Sequence, residues 1–453
     1  MKKTAQAYLK ADLDRSKAIK YLKNYLNAKP KDKEAWLMLS DAYLYNLDIT
    51  NSKIAFEKYS QTGLKKKKAA ISQLLKISNI EYLLENEKNV SISNLGTAIN
   101  TSGNEYSPII EPKYKYLFYQ SNKEKSKGRI QLNGELNYDL YYAKYNGAYF
   151  KNSRPIKKLN STKNENIMGV SSKGKFLYYS SQIQSTNSIL PSQIMQSIKK
   201  GIIYKKKMHF KAFHHLENLI IHSFFFNEQK SQYFISAKKG KKGGFNIYLV
   251  NKLPNEKWSD PILLPFCSKN ENEINPFYHN ETNTLYLSSD KLGGLGGYDL
   301  YKIIFDEQNE IWEEINNLGY PINSPYDEKN ISLTNNGANG FISSIRPGGF
   351  GKYDIYNITF LNEPVRRAIY LIDFLNPEDH KHYENLKLDI YNEKDLLIGE
   401  YAPNENNGIF TIILEKGNYK VIGESNDEIV FEKIIKVSEF DVQNEIKTIN
   451  FSD

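Results

Sequence analysis

A single cysteine, Cys267, stands in 453 residues, which excludes an intramolecular disulfide framework and a multi-cysteine zinc site. Its neighbours, Leu264-Pro265-Phe266-Cys267-Ser268, suit a buried, inert thiol. No apolar run reaches the roughly 18 residues that a membrane-spanning helix needs, so the chain is not expected to span a membrane. Met1-Lys2-Lys3 has the charge of a signal-peptide start, and the apolar stretch that should follow is missing. Tryptophan is scarce at 3 residues beside 34 Tyr and 22 Phe. Aromatic side chains fit a pleated, half-buried surface, so β structure is expected for most of the chain.

Neither sign of charge dominates: 61 Lys+Arg stand against 52 Asp+Glu, a net charge of +9, with the acids interspersed among the lysines. The densest basic stretches are Lys199-Lys200, Lys205-Lys206-Lys207 with His209, Lys211 and His214-His215, and Lys238-Lys239 with Lys241-Lys242. No nucleic-acid reading motif accompanies them, so they read as solvated surface and no nucleic-acid partner is expected. Catalytic motifs are missing too. There is no G-x-S-x-G nucleophile elbow and no H-E-x-x-H zinc pair, and His214-His215 and His380/His382 read as exposed loop histidines. The expectation is a chain that is not an enzyme, with no catalytic residue, metal or cofactor.

The length suits about three domains. Residues 1–90 carry helical periodicity. At an offset of 34, Ala18, Leu22, Tyr25 and Pro30 align with Ser52, Phe56, Tyr59 and Leu64, while Trp36, Leu39, Ser40 and Tyr43 open the second unit. This resembles the tetratricopeptide repeat, with Ser40 and Ser52 at its small-residue positions. A third helix pair would draw on Ala69 to Leu84. The first unit would begin before Met1, which leads to the expectation that a leader segment has been removed.

Residues 91–365 change to short aromatic strands. Ser288 to Tyr301 reads SSDKLGGLGGYDLY. A phosphate-binding loop would need a lysine and a hydroxyl residue, or a helix, directly after the glycines; here a strand follows. The stretch is one copy of a recurring unit, matched by Ser343-Ser344 and then Gly351-Lys352-Tyr353-Asp354-Ile355-Tyr356, and earlier by Tyr138-Asp139-Leu140-Tyr141. The final tyrosines are set at Tyr141, Tyr204, Tyr248, Tyr301 and Tyr356. About four strands per unit at this period predict radial repetition of small sheets, a five-bladed propeller. The glycines join two central strands of a blade, where positive φ and a missing Cβ let the chain reverse. The signature residues Tyr138, Asp139, Tyr141, Gly297, Tyr298, Asp299, Tyr301, Tyr353, Asp354 and Tyr356 are expected to be structural, with Tyr298 and Tyr301 packed between blades and Asp299 bonded to nearby backbone. Asp139, Asp299 and Asp354 could converge at a central funnel, but they belong to the repeat itself.

Residues 366–453 alternate strands and turns without this signature. Asn407-Gly408-Ile409-Phe410-Thr411-Ile412-Ile413-Leu414 and the following Glu415 to Val421 read as two strands around a turn, and a β-sandwich is expected. The expected fold class is therefore multidomain and mainly β: an α-helical tetratricopeptide-like solenoid, a five-bladed propeller and a sandwich.

The repeat block, with Leu318-Gly319-Tyr320-Pro321-Ile322-Asn323-Ser324-Pro325-Tyr326-Asp327-Glu328, resembles the WD-repeat-like, TolB-like propellers of Gram-negative envelope proteins. Asn407 to Tyr419 looks like a carboxypeptidase-regulatory-like domain. The domain order is similar to that of the PorE-like family, without that family's OmpA-like domain, so peptidoglycan binding is not carried over. The resemblance implies a periplasmic, outer-membrane-associated protein-interaction scaffold of the type IX secretion and gliding machinery, partnered by an outer-membrane β-barrel or secretion subunit. Carbohydrate recognition or processing is the alternative, which rests on fold analogy alone.

Overall fold

In this computed structural model the described residues are all of 1–453 except 12–13, 62–66, 112–114, 125, 127–129, 132–133, 147–148, 152, 183–188, 191–192, 202, 217, 241–242, 269, 292, 362–366, 376–380, 394, 405–406, 416, 427, 438–445 and 452–453. Leu64, Lys241, Lys242 and His380 lie outside the described residues. The chain divides into two units, Met1–Asn362 and Glu363–Asp453.

The first unit opens with helices α1 (Lys2–Lys10), α2 (Ala18–Ala28), α3 (Lys33–Leu44), α4 (Ile49–Gln61) and α5 (Lys67–Glu85). Asp32 caps α3 by accepting from the Ala35 N–H. Where α3 meets α4, the Ser40 and Ser52 hydroxyls lie 3.0 Å apart and Ser52 donates to the Ser40 carbonyl, the close approach that small residues permit. Leu39, Tyr43 and Phe56 are buried, and Trp36 donates its indole N–H to the Pro30 carbonyl.

These helices do not form the expected solenoid, and that part of the fold class is corrected. The molecule is mainly β, with 44% strand against 19% helix. Such an array needs at least three stacked repeats, yet residues 69–84, expected to supply a third helix pair, lie in the single helix α5. Its buried residues Ala70, Ile77 and Ile80 share a cluster with Phe56, Tyr59 and the β-region residues Leu295 and Tyr320. The helices thus close on the propeller. Tyr45 packs on Tyr326 at 5.6 Å, and the Tyr326 hydroxyl bonds Asp14 at 3.2 Å.

Five antiparallel sheets follow. β1 (Val90–Asn94) precedes the first of them. Blade 1 is β2 (Glu105–Ile110), β3 (Tyr116–Ser121), β4 (Asp139–Lys144) and β5 (Arg154–Pro155). Blade 2 is β6 (Asn164–Val170), β7 (Phe176–Gln182), β8 (Ile194–Lys200) and β9 (Ile203–His209), and blade 3 is β10 (Leu219–Asn227), β11 (Gln232–Lys239), β12 (Asn246–Asn251) and β13 (Ile262–Leu263). Blade 4 is β14 (Glu273–His279), β15 (Thr284–Ser289), β16 (Asp299–Asp306) and β17 (Ile311–Trp312), with β18 (Asn316–Asn317) also on β16. Blade 5 is β19 (Glu328–Leu333), β20 (Asn339–Ser344) and β21 (Asp354–Phe360), completed by β1 from Val90 opposite Phe360 to Asn94 opposite Tyr356. Borrowing a strand from before blade 1 ties the ring shut and pairs what would be an open edge.

Middle strands such as β20 are buried along nearly their whole length. Neighbouring blades cover both faces, so apolar and small residues run on without alternation. The register of blade 2 differs from the sequence reading. Its third strand is β8, and Tyr204 lies on the outer strand β9. This blade lacks the Gly-Gly-Tyr-Asp turn, and Ile194–Lys200 carries no aromatic residue to mark the strand.

In the second unit β22 (Arg367–Phe374), β23 (Lys387–Tyr391), β24 (Leu397–Tyr401), β25 (Phe410–Glu415), β26 (Gly417–Ser425), β27 (Glu428–Val437) and β28 (Ile446–Phe451) form two sheets, ordered β25-β22-β28 and β24-β23-β26-β27. Ile372, Phe374, Leu388, Ile390, Phe410 and Val421 lie in their shared core. β25 and β26, consecutive in sequence, belong to different sheets. Among the described residues no helix is long and apolar enough to cross a membrane.

Candidate functional site

The first strands of the blades, β2, β6, β10, β14 and β19, surround the propeller axis. β6 meets β10, β10 meets β14, β14 meets β19 and β19 meets β2, while β6 packs on β3 and β4 of blade 1. Each of the five breaks register midway: between Tyr106 and Ile109, Ile167 and Gly169, Ile221 and Ser223, Ile274 and Phe277, and Lys329 and Ile331. Pro108 and Pro276 cannot donate to a ladder, which forces the interruption in two of them. Ser107, Asn275 and Asn330 adopt φ of 52°, 55° and 56°, a left-handed backbone uncommon outside glycine. Hydroxyls of the preceding blade hold two of these bulges: Ser223 accepts from the Asn275 N–H at 2.9 Å and Ser288 from the Asn330 N–H at 3.2 Å.

The bulged residues open onto a cavity of about 320 Å³ at one mouth of the axis. Its wall is aromatic: Tyr106, Tyr138, Phe245 and Tyr298, with His222 and Lys329 between them. The rings form a nearly continuous chain. Tyr106 lies 5.9 Å from Tyr138 and 4.3 Å from Tyr353, and Lys329 sits 4.4 Å from the Tyr298 ring and 5.1 Å from that of Tyr353. His222 meets Phe245 edge-on at 5.2 Å, and Lys238 lies 4.6 Å from the same ring. Amides complete the lining. Gln120 is committed to β6, accepting from the Ile167 N–H and donating to Asn166. The side-chain amides of Asn275 and Asn330 have no hydrogen-bond partner among the described residues. Past the bulges the axis narrows to about 50 Å³ between residues such as Ile109, Met168 and Phe225, then widens to about 190 Å³ beside His279 and the Glu111–Lys199 ion pair.

Burial pushes the His222 imidazole down to about 4, and the charges of Lys329 and Lys238 push in the same direction. At neutral pH this ring is therefore uncharged. Lys329 donates to the Tyr353 hydroxyl at 2.9 Å and faces Asp327 at 3.2 Å, while Lys352 faces Glu135 at 2.8 Å.

The signature residues divide between wall and mouth. Asp299 is buried and accepts from the Leu295 and Gly296 N–H groups at 2.6 and 2.9 Å and from Asn317; burial still lifts its pKa to about 7. Asp354 accepts in the same way from Phe350, Gly351 and Asn94. Asp139 is buried at the start of β4. These three carboxylates lie in their own blades and do not line the mouth. Tyr141, Tyr301 and Tyr356 are buried. Tyr298 departs from its expected packing between blades, since its half-buried ring lines the cavity, as does the buried ring of Tyr138. Tyr353, fully buried, supports Tyr106 from behind. Gly297 lies against the Asp327 carboxylate, which a Cβ would approach to 2.4 Å.

Tyr106, His222, Asn275, Lys329 and Asn330 are marked by no functional motif in the sequence. The available signal is a proline inside a strand pattern, Ser107-Pro108 and Asn275-Pro276, which marks a bulge. Another buried set is equally unmarked. Glu105, Glu165 and Glu328 open inner strands and accept from Thr101, Ser161 and Ser324 four residues earlier and from Ser121, Ser181 and Ser344 on the next strand. Among the described residues no group of three or more His, Cys, Asp or Glu could hold a metal ion.

No protein-family model matches this chain, and no curated protein matches it. Among solved structures it is similar to the complex of BT0996 with RGII, at 9% identity over 63% of this chain and 95% of that one, with a TM-score of 0.41. It is also similar to Trypanosoma rangeli sialidase with the inhibitor DANA, at 8% identity over 61% and 60% of the two chains and a TM-score of 0.34. A third is the GH43 protein BlXynB of Bacillus licheniformis, at 10% identity over 77% and 84%, TM-score 0.36. At these values the likeness carries no argument about chemistry. The expectation that the chain is not an enzyme is withdrawn on a general ground: it takes modular domains to be non-catalytic, and a fold does not fix function, the similar structures themselves including a sialidase and a glycoside hydrolase.

Proposed function

We propose that the propeller binds a saccharide at the bulged mouth of its axis. The carrying observation is the wall itself: four aromatic rings and the unpartnered amides of Asn275 and Asn330 around a cavity of about 320 Å³. A sugar ring has an apolar C–H face and a rim of hydroxyls. Aromatic faces take the first, and amides, each both donor and acceptor, take the second. A concave site with a few convergent polar groups is the usual form of a ligand pocket. Calorimetric titration with oligosaccharides chosen from a glycan array tests the reading. Tyr106→Ala and Tyr298→Ala should each weaken binding about tenfold, the loss of one aromatic contact, while the chain still melts cooperatively. Unchanged affinity in both variants would sink the proposal.

The PorE-like envelope scaffold is the second reading. One observation favours it: α5 presents Ile71, Leu74, Leu75 and Tyr82 to solvent, the kind of apolar stripe that a protein partner covers. Crosslinked affinity purification from envelope fractions should recover an outer-membrane barrel or secretion subunit, and an Ile71→Asp/Leu75→Asp variant should lose it. Equal recovery with that variant would count against the stripe.

A further inference from the structure

We propose that the saccharide recognised at this mouth is anionic, its charged group held on the Lys238 side of the cavity. This rests on the saccharide reading above and adds the chemical class of the ligand. The charges around the mouth are unevenly paired. Lys329 is matched by Asp327 at 3.2 Å and Lys352 by Glu135 at 2.8 Å, so these two pairs leave no net charge. Lys238 has no acidic partner among the described residues; its ammonium lies 4.6 Å from the ring of Phe245, a residue of the cavity wall. Lys238 therefore stands beside the Phe245 part of the wall without an ion-pair partner, while the Asp290 carboxylate acts on Tyr298, another residue of that wall.

His222 gives a second view of the same field. It touches Phe245, lines the cavity, and is held neutral by burial and then by the two lysines. A neutral imidazole beside an unmatched ammonium leaves the field positive. A carboxylate or sulfate on a sugar would supply the missing partner through a charge-assisted hydrogen bond, stronger than a hydroxyl provides. Lys238 would keep its alkyl stem and ammonium against Phe245, and the amides of Asn275 and Asn330 would remain for hydroxyls.

The test is isothermal titration calorimetry of the full chain with three probes: a galacturonate oligomer, the same oligomer fully methyl-esterified, and a sulfated galactose oligomer. At least one charged probe should bind about tenfold or more tightly than the esterified one, as a charged hydrogen bond implies. Added salt should shrink the advantage. Lys238→Gln should remove it, with a clearly larger loss for the charged probe than for the esterified one. Equal affinity for esterified and charged probes, or an equal loss for both in Lys238→Gln, overturns the inference and leaves the saccharide reading standing. If no saccharide binds, the saccharide reading itself has failed, and the inference with it.

Discussion

Glu273 opens β14 with 1% of its surface exposed, and burial lifts its carboxyl to about 8. Asn246, in the amide orientation that satisfies both of its ends, donates to this carboxylate and to the Ser268 carbonyl. A folded-state pKa raised from 4.5 makes a contribution that is complete below pH 4.5 and lost as the pH climbs through 8. The loss is on the order of 4 kcal/mol. The melting temperature should therefore fall between pH 5 and pH 8, and Glu273→Gln should flatten that fall; superimposable pH profiles would show that the group does not titrate there. At the same scale the signature tyrosines show the limit of sequence reading. Tyr298 and Tyr301 are alike in sequence, three residues apart, yet one ring faces the cavity and the other is buried. Only the turn between β15 and β16 decides which is which.

The element that best separates pattern from cause is that turn. Its glycines look interchangeable in SSDKLGGLGGYDLY, and the structure gives each a different reason. Gly293 takes a φ of 102°, while a Cβ on Gly294 would come within 2.2 Å of the Asp299 carboxylate. Gly296 lies against the next blade, where a Cβ would stand 1.7 Å from the Tyr326 carbonyl oxygen. Gly351 meets the Gly103 carbonyl in the same way at 1.8 Å. Backbone cannot step aside as a flexible side chain can. Gly296→Ala should thus cost about 3 kcal/mol, the upper range for overpacking, and Gly293→Ala about 1–2 kcal/mol for a left-handed alanine. Urea unfolding of the two variants checks the order; a milder effect at Gly296 would mean that the blades separate there more easily than their packing implies. The inner strands are less legible. Their bulges arise where five strands crowd one axis, and apart from Pro108 and Pro276 no residue type announces them.

Over the whole molecule, the first and last pieces of the propeller unit are the ones that sequence periodicity misplaces. β1 follows the helices in the chain but belongs to blade 5, because a ring must close on itself. The helices have a repeat-like pattern, yet they finish on Leu295, Tyr320 and Tyr326 rather than on further repeats. A period in the sequence reports that neighbouring segments pack alike, and does not say what covers the last one. In the second unit, likewise, strands adjacent in sequence at Phe410–Glu415 and Gly417–Ser425 part into two sheets.

Local sequence was enough to set the β character of most of the chain and the Ser-Ser, Gly-Gly and Tyr-Asp positions that blades 4 and 5 share, because those two blades meet the same local demands of strand, turn and buried carboxylate. Long-range packing settled where the helices end, which strand closes the ring, and which rings and amides share the mouth. Tyr106, His222, Phe245, Asn275 and Lys329 come from four blades and are up to 223 residues apart. Their meeting depends on the radial arrangement of sheets around the axis, a relation that no local spacing contains.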